Sequence, residues 1–102
     1  PNQDIFSKED IEKATPEEHV DYFTMFMTSL LSQFNQYITH EDSDISIDKV
    51  SYRQIQLQLS DQEIMDIFKT ISDAITPNLD NKANDSRRLY SISTILIPVR
   101  GD

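Results

Sequence analysis

Residues 40–51, "HEDSDISIDKVS", place carboxylates at Asp42, Asp44 and Asp48, the kind of spacing that holds a hard cation. A helix–loop–helix calcium site takes oxygen ligands from loop positions 1, 3 and 5, a glycine at 6 for the sharp turn, and a bidentate Glu at 12. Counted from Asp42, positions 1 and 3 fit and Ser46 supplies an oxygen at 5. Position 6 is Ile47 and position 12 is Arg53, a cation where the closing carboxylate belongs. The stretch is therefore expected to be a solvated connector that binds no calcium.

The other chemistry-bearing residues do not converge. His19 and His40 are the only imidazoles, and 21 residues separate them, far from the i, i+4 spacing of a helical metal pair. His19 reads as a partly buried side chain, and His40 as a helix-end cation favoured by the macrodipole. Cysteine is absent, so there is neither thiol chemistry nor a disulfide framework. The single glycine excludes a phosphate-cradling loop and a nucleophile elbow. Glu17–Glu18 and Asp61–Glu63 fall in first helical turns, where capping accounts for them without general acid–base catalysis. Asn84-Asp85-Ser86 matches a glycosylation acceptor, but nothing marks the chain as secreted. The expectation is a protein that is not an enzyme and uses no cofactor and no metal.

The elements that would position these residues follow from caps and periodicity. Ser7 and Asp10 suit the start of a short helix over 7–13. Thr15, Pro16 and Glu18 form an N-terminal signature, with a capping box and proline in the first turn, for a long helix over about 16–39. Along it Val20, Phe23, Phe26, Met27, Leu30, Leu31, Phe34, Tyr37 and Ile38 fill one arc of about 140° at helical spacing. Tyr22 and Met25 lie outside that arc. The stripe reads as core, although Tyr22, Phe23, Met25, Phe26 and Met27 also have the adaptable chemistry of a pocket for an apolar ligand.

From Lys49 to Leu59, Ile55, Leu57 and Leu59 alternate with Gln54, Gln56 and Gln58, the pattern of a half-buried strand. Val50 and Tyr52 share the glutamine parity, which suggests a bulge. "SDQE" (60–63) is a second capping box, opening a helix over about 61–75 that Pro77 stops. Residues 77–86 are turn-rich. "RRLYSISTILIP" (87–98) reads as a strand. The expected fold class is α+β, with two main helices (about 16–39 and 61–75) packed on a small, antiparallel two-stranded sheet (about 49–59 and 87–97). Residues 1–15 read as an N-terminal linker with a short helix, and 16–102 as one domain.

The net charge of −9 is unevenly spread: residues 1–48 hold eleven acids against Lys8 and Lys13, whereas 49–102 balance at seven and seven. Such a surface repels phosphate backbones, so the chain is not expected to bind nucleic acid by itself. No run of about 18 apolar residues implies a membrane span. The lack of cysteine suits a cytoplasmic location.

A strand running into "LQLSDQE", the helix "IMDIFKTISDAI", a polar loop and "RRLYSISTILIP" together resemble the C-terminal region of bacterial winged helix-turn-helix transcriptional regulators of the ArsR-like class. The helix carrying "YFTMFMTSLLSQF" corresponds to that family's first C-terminal helix, and the likeness spans roughly residues 16–98. The metal-sensing members use Cys and His ligands, and this chain lacks those sets. The resemblance implies a regulatory and dimerisation (effector) domain, with DNA reached only through a winged helix lying upstream of Pro1. The sequence opens on Pro1 rather than Met, in keeping with a piece of a longer chain. It leaves open whether a small-molecule effector exists. A homodimer is expected, with Tyr22 and Met25 on the helix and Val50, Tyr52, Tyr90 and Ile92 on the strands as interface candidates. The alternative is a self-standing protein-interaction module with no DNA-binding domain attached.

Overall fold

The computed structural model describes residues 8–101, which fall into two units, 1–54 and 55–102. The element order is α1 (Lys8–Lys13), α2 (Pro16–Ile38), α3 (Asp61–Ile75) and a 3-10 turn (Thr76–Asn78). The expected cap Ser7 lies outside the described residues, as does anything that concerns the side chain of Asp10.

In the first unit, α1 is braced by Lys13 and Glu9 at 2.6 Å, one turn apart. The start of α2 is fixed as its sequence dictates. Thr15 accepts a hydrogen bond from the Glu18 amide at 3.1 Å, and the Glu18 carboxylate accepts one from the Thr15 amide at 2.8 Å. Two of the donors that every helix start leaves unpaired are thereby satisfied. These bonds, the Thr15 amide first, hold the Glu18 carboxyl below its ordinary value near 4.5. At the other end Thr39 returns its amide to the Asn35 carbonyl at 3.1 Å. The 23 residues of α2 make a rod about 34 Å long.

Residues 44–50 form a single helical turn capped at both ends. Asp44 accepts from the Ile47 amide at 3.0 Å, an N-cap, and Asp48 returns its amide to the Asp44 carbonyl at 2.8 Å. Val50 donates to Ile45 (3.0 Å) and Lys49 to Ser46 (3.3 Å), the paired bonds of a Schellman C-cap. That motif requires a left-handed residue, and Lys49 supplies it with φ of 59°. The connector thus has a defined turn of its own.

In the second unit, α3 repeats the capping logic. Ser60 accepts from the Glu63 amide at 3.2 Å while the Ser60 amide donates to Glu63 at 2.8 Å, and these bonds lower the Glu63 carboxyl. Lys69–Asp73 (2.7 Å) and Gln62–Asp66 (2.9 Å) link successive turns. Pro77 sits in the 3-10 turn that ends the helix.

The expected α+β fold is not what forms: among the described residues there is no strand and no sheet. Segments 49–59 and 87–97 carry no regular secondary structure beyond the end of the turn at Lys49. The physical reason is that period-2 alternation records which side chains would share a face, and says nothing of whether a second strand lies within ladder distance. At the first segment the left-handed Lys49 also ends any extended run that would begin there. The helices expected to cover a sheet therefore have none to cover. Neither unit has a fully buried side chain among its described residues. The arc of α2 is incompletely covered: Phe26, Leu30, Tyr37 and Ile38 are half-buried, while Val20 and Leu31 remain 64% and 61% exposed.

Candidate functional site

The interface candidates fall in separate places. Tyr22 is half-buried on α2 and meets His19 edge-on, with ring centroids 6.4 Å apart. His19 itself is exposed, not partly buried as its position beside the apolar arc suggested. Met25 is exposed and lies in an open groove of about 500 Å³ along α2. Thr24, Thr28, Ser32 and Gln36 form one row of this groove at i, i+4 spacing, and Met25, Ser29 and Gln33 the next. Of the five residues suited to an apolar pocket only Met25 lines it. The groove is the surface of one helix, lined by uncharged residues that present mostly apolar area, and encloses nothing.

Val50 and Tyr52 stand elsewhere in the same unit. Val50 closes the Schellman turn and is half-buried. Tyr52 meets Phe34 edge-on at 6.4 Å and 85°. Phe34 is nine residues beyond Met25 and twelve beyond Tyr22, about 14 and 18 Å along the helix axis. The pairs Tyr22/Met25 and Val50/Tyr52 therefore sit toward opposite ends of α2. In the second unit Tyr90 and Ile92 are exposed in chain without regular secondary structure.

A contact that sequence reasoning missed joins α2 to the connector. The Tyr37 hydroxyl donates to Asp48 Oδ2 at 2.6 Å, and the same oxygen accepts the Asp44 amide at 3.0 Å. With Phe34–Tyr52 beyond it, this bond lays residues 44–52 back along the last turns of α2. No motif announces an i, i+11 pairing; the nearest signal is the Ile45/Val50 apolar pair that flanks a Schellman turn.

These bonds bear on the opening chemistry. The carboxylates of Asp44 and Asp48 face backbone amides and a phenol, and Asp42 lies 3.2 Å from His40 Nδ1 at the exposed end of α2. Among the described residues no group of three or more His, Cys, Asp or Glu side chains is placed to hold a metal ion. No described helix is long and apolar enough to cross a membrane. What the arrangement offers is apolar surface: from Tyr22 to Ile38, α2 carries 17 residues without a single charge. Compared with known proteins, the chain matches no family model, no curated sequence and no solved structure.

Proposed function

We propose that this chain is the regulatory and dimerisation region of a bacterial, cytoplasmic transcriptional regulator of the ArsR-like winged helix-turn-helix class, acting on DNA through a separate upstream domain. The observation that carries the reading is the uncovered apolar arc of α2, where Val20, Phe23, Met27, Leu31 and Phe34 are all exposed. A face of that size and composition in a soluble chain signals an interaction surface. The absence of charge between Tyr22 and Ile38 allows two copies to approach there despite a net charge of −9. The Leu-Ser-x-x-Glu helix start, on which the family resemblance leans, is formed as a capping box at Ser60 and Glu63. Dimerisation fits the role because regulators with a winged helix read paired half-sites at fixed spacing. The reading includes no catalysis.

The test is a domain exchange. A repressor whose DNA-binding domain needs a dimer loses operator occupancy when its own dimerisation region is removed. Fusing residues 1–102 in its place should restore repression, and Leu31→Glu with Phe34→Glu should abolish it while helix content persists. The chain alone should leave duplex DNA unshifted at physiological salt. A fusion as silent as the truncated repressor would overturn the regulator reading and leave the self-standing interaction module.

A further inference from the structure

We propose that α2 pairs with α2 of a second copy of this chain, antiparallel and with the two-fold axis beside Met27. The proposal rests on the dimerisation reading above and adds the direction and register of the pair.

The exposed stripe of α2 is its own complement. Val20, Phe23, Met27, Leu31 and Phe34 are the exposed residues of the apolar arc, and their spacing runs 3, 4, 4, 3. At about 100° per residue they lie within about 80°, and Met27 is the middle of that arc as well as of the sequence. Half-buried Phe26, Leu30 and Tyr37 stand together on one flank, and the connector returns along the Tyr37 end. The pattern is the same from either end, so an antiparallel copy meets it residue for residue. Val20 of one copy falls level with Phe34 of the other, Phe23 with Leu31, and Met27 with its own twin. The small end of the stripe thus meets its large end, where Tyr52 stands edge-on to Phe34. Val20, Met27 and Phe34 also recur every seven residues, the repeat that keeps a seam facing its partner along paired helices. This symmetry belongs to α2 alone, and a twin related by a two-fold axis matches it at both ends.

Charge selects the direction. The acids of α2 are Glu17, Glu18 and Asp21, and no charge follows before the helix ends. Parallel pairing would set the three acids of one copy against those of the other, a repulsion that opposes assembly. Antiparallel pairing sets Asp21 level with Gln33, Glu18 with Gln36 and Glu17 with Tyr37, and it opposes the two helix dipoles. It also places the two Pro16 residues about 33 Å apart along the pair. Half-sites one turn of DNA apart lie about 34–36 Å from centre to centre, so domains attached at these ends would be spaced to read them. Parallel helices would bring the same ends within about 10 Å.

The chain has no cysteine, so single substitutions report the register. Helix axes about 8–10 Å apart bring facing Cα atoms to about 5 Å, within disulfide reach. In the full chain at micromolar concentration, mild oxidation should convert Met27→Cys to a covalent dimer. Val20→Cys alone and Phe34→Cys alone should stay unlinked, because each lies about 21 Å from its twin, and a mixture of the two should link. Met27→Glu sets two carboxylates on the axis and should weaken dimerisation at least about tenfold, with helix content unchanged. A wild-type dimer in which Val20→Cys links to itself, or in which neither Met27→Cys nor the mixture links, overturns the antiparallel pair and leaves dimerisation standing. A Met27→Glu chain that dimerises as well as wild type does the same. A wild-type chain that sediments as a monomer, with the face covered by its own second unit or by a different protein, overturns both.

Discussion

Residues 44–52 and 88–99 are both apolar-rich segments outside the helices, and they end differently. The first is secured by its own unit: Tyr37 donates to Asp48, Phe34 meets Tyr52, and a Schellman turn sets the direction of return. The second keeps its apolar side chains in solvent from Leu89 to Val99. The contrast teaches that alternation alone does not anchor a segment; a turn of defined geometry and one charge-assisted hydrogen bond do. It also separates substitutions that should weaken the monomer from those that should weaken only an assembly.

The sharpest way to break the contrast is Asp48→Ala. It removes the acceptor for both the Tyr37 hydroxyl and the Asp44 amide. Hydrogen bonds to a charged acceptor contribute about 1.5–3 kcal/mol, and the half-buried setting places the expected loss near 2 kcal/mol in urea unfolding followed by circular dichroism. Tyr37→Phe removes one of the two bonds and should cost about 1 kcal/mol. Ile92→Ala, made in the other segment and measured where the chain is dilute enough to be monomeric, should change stability by less than about 0.5 kcal/mol. Equal losses at Asp48 and Ile92 would erase the distinction.

The caps come next. Thr15→Ala and Ser60→Ala should each cost about 1 kcal/mol, read as lost helix content in α2 and α3 respectively. Acid should act on the same bonds. The carboxyls of Glu18 and Glu63 are lowered in the folded chain by hydrogen bonds from Thr15 and Ser60. A carboxyl lowered on folding contributes stability that is complete above its unfolded value. That contribution fades as pH falls through the lowered, folded value. Helix content should therefore hold above about pH 5 and decline below about 4.5, and Glu18→Gln with Glu63→Gln should flatten that decline. An unchanged acid profile in the double variant would show that these carboxyls are not the groups responsible.

What the sequence made legible follows the same division between local and distant causes. The capping boxes at Thr15–Glu18 and Ser60–Glu63 are complete within four residues, so the sequence alone places the starts of α2 and α3. Pro77 marked the end of α3 for the same reason, since a missing amide is a property of one residue. The two strands were illegible as absences: Ile55, Leu57 and Leu59 alternate whether or not a partner is present. The Tyr37–Asp48 bond was hidden because it depends on a turn whose left-handed residue is a lysine, where glycine or asparagine would have announced it. For the interface candidates, the sequence named apolar residues but could not tell that Tyr22 and the Phe34 that meets Tyr52 stand about 18 Å apart along α2, or that Tyr22 and Val50 are half-buried while Met25, Tyr52, Tyr90 and Ile92 are exposed.

At Lys49 the sign of the effect is the informative part. A side chain in the left-handed region costs about 1–2 kcal/mol through the approach of Cβ to the backbone. Glycine would relieve that strain, but would widen the unfolded ensemble at a cost of about 0.5–1 kcal/mol. Lys49→Gly should therefore stabilise the first unit slightly, by a few tenths of a kcal/mol up to about 1. Lys49→Val should do the opposite and cost more than about 1 kcal/mol, because branching at Cβ makes φ of 59° a strained conformation. Lys49 is exposed, so neither variant changes packing, and the pair isolates backbone geometry. If glycine and valine shift the unfolding midpoint in the same direction, the turn is not held as a Schellman cap. The return of residues 50–52 along α2 would then have to rest on Phe34 and Tyr52 alone.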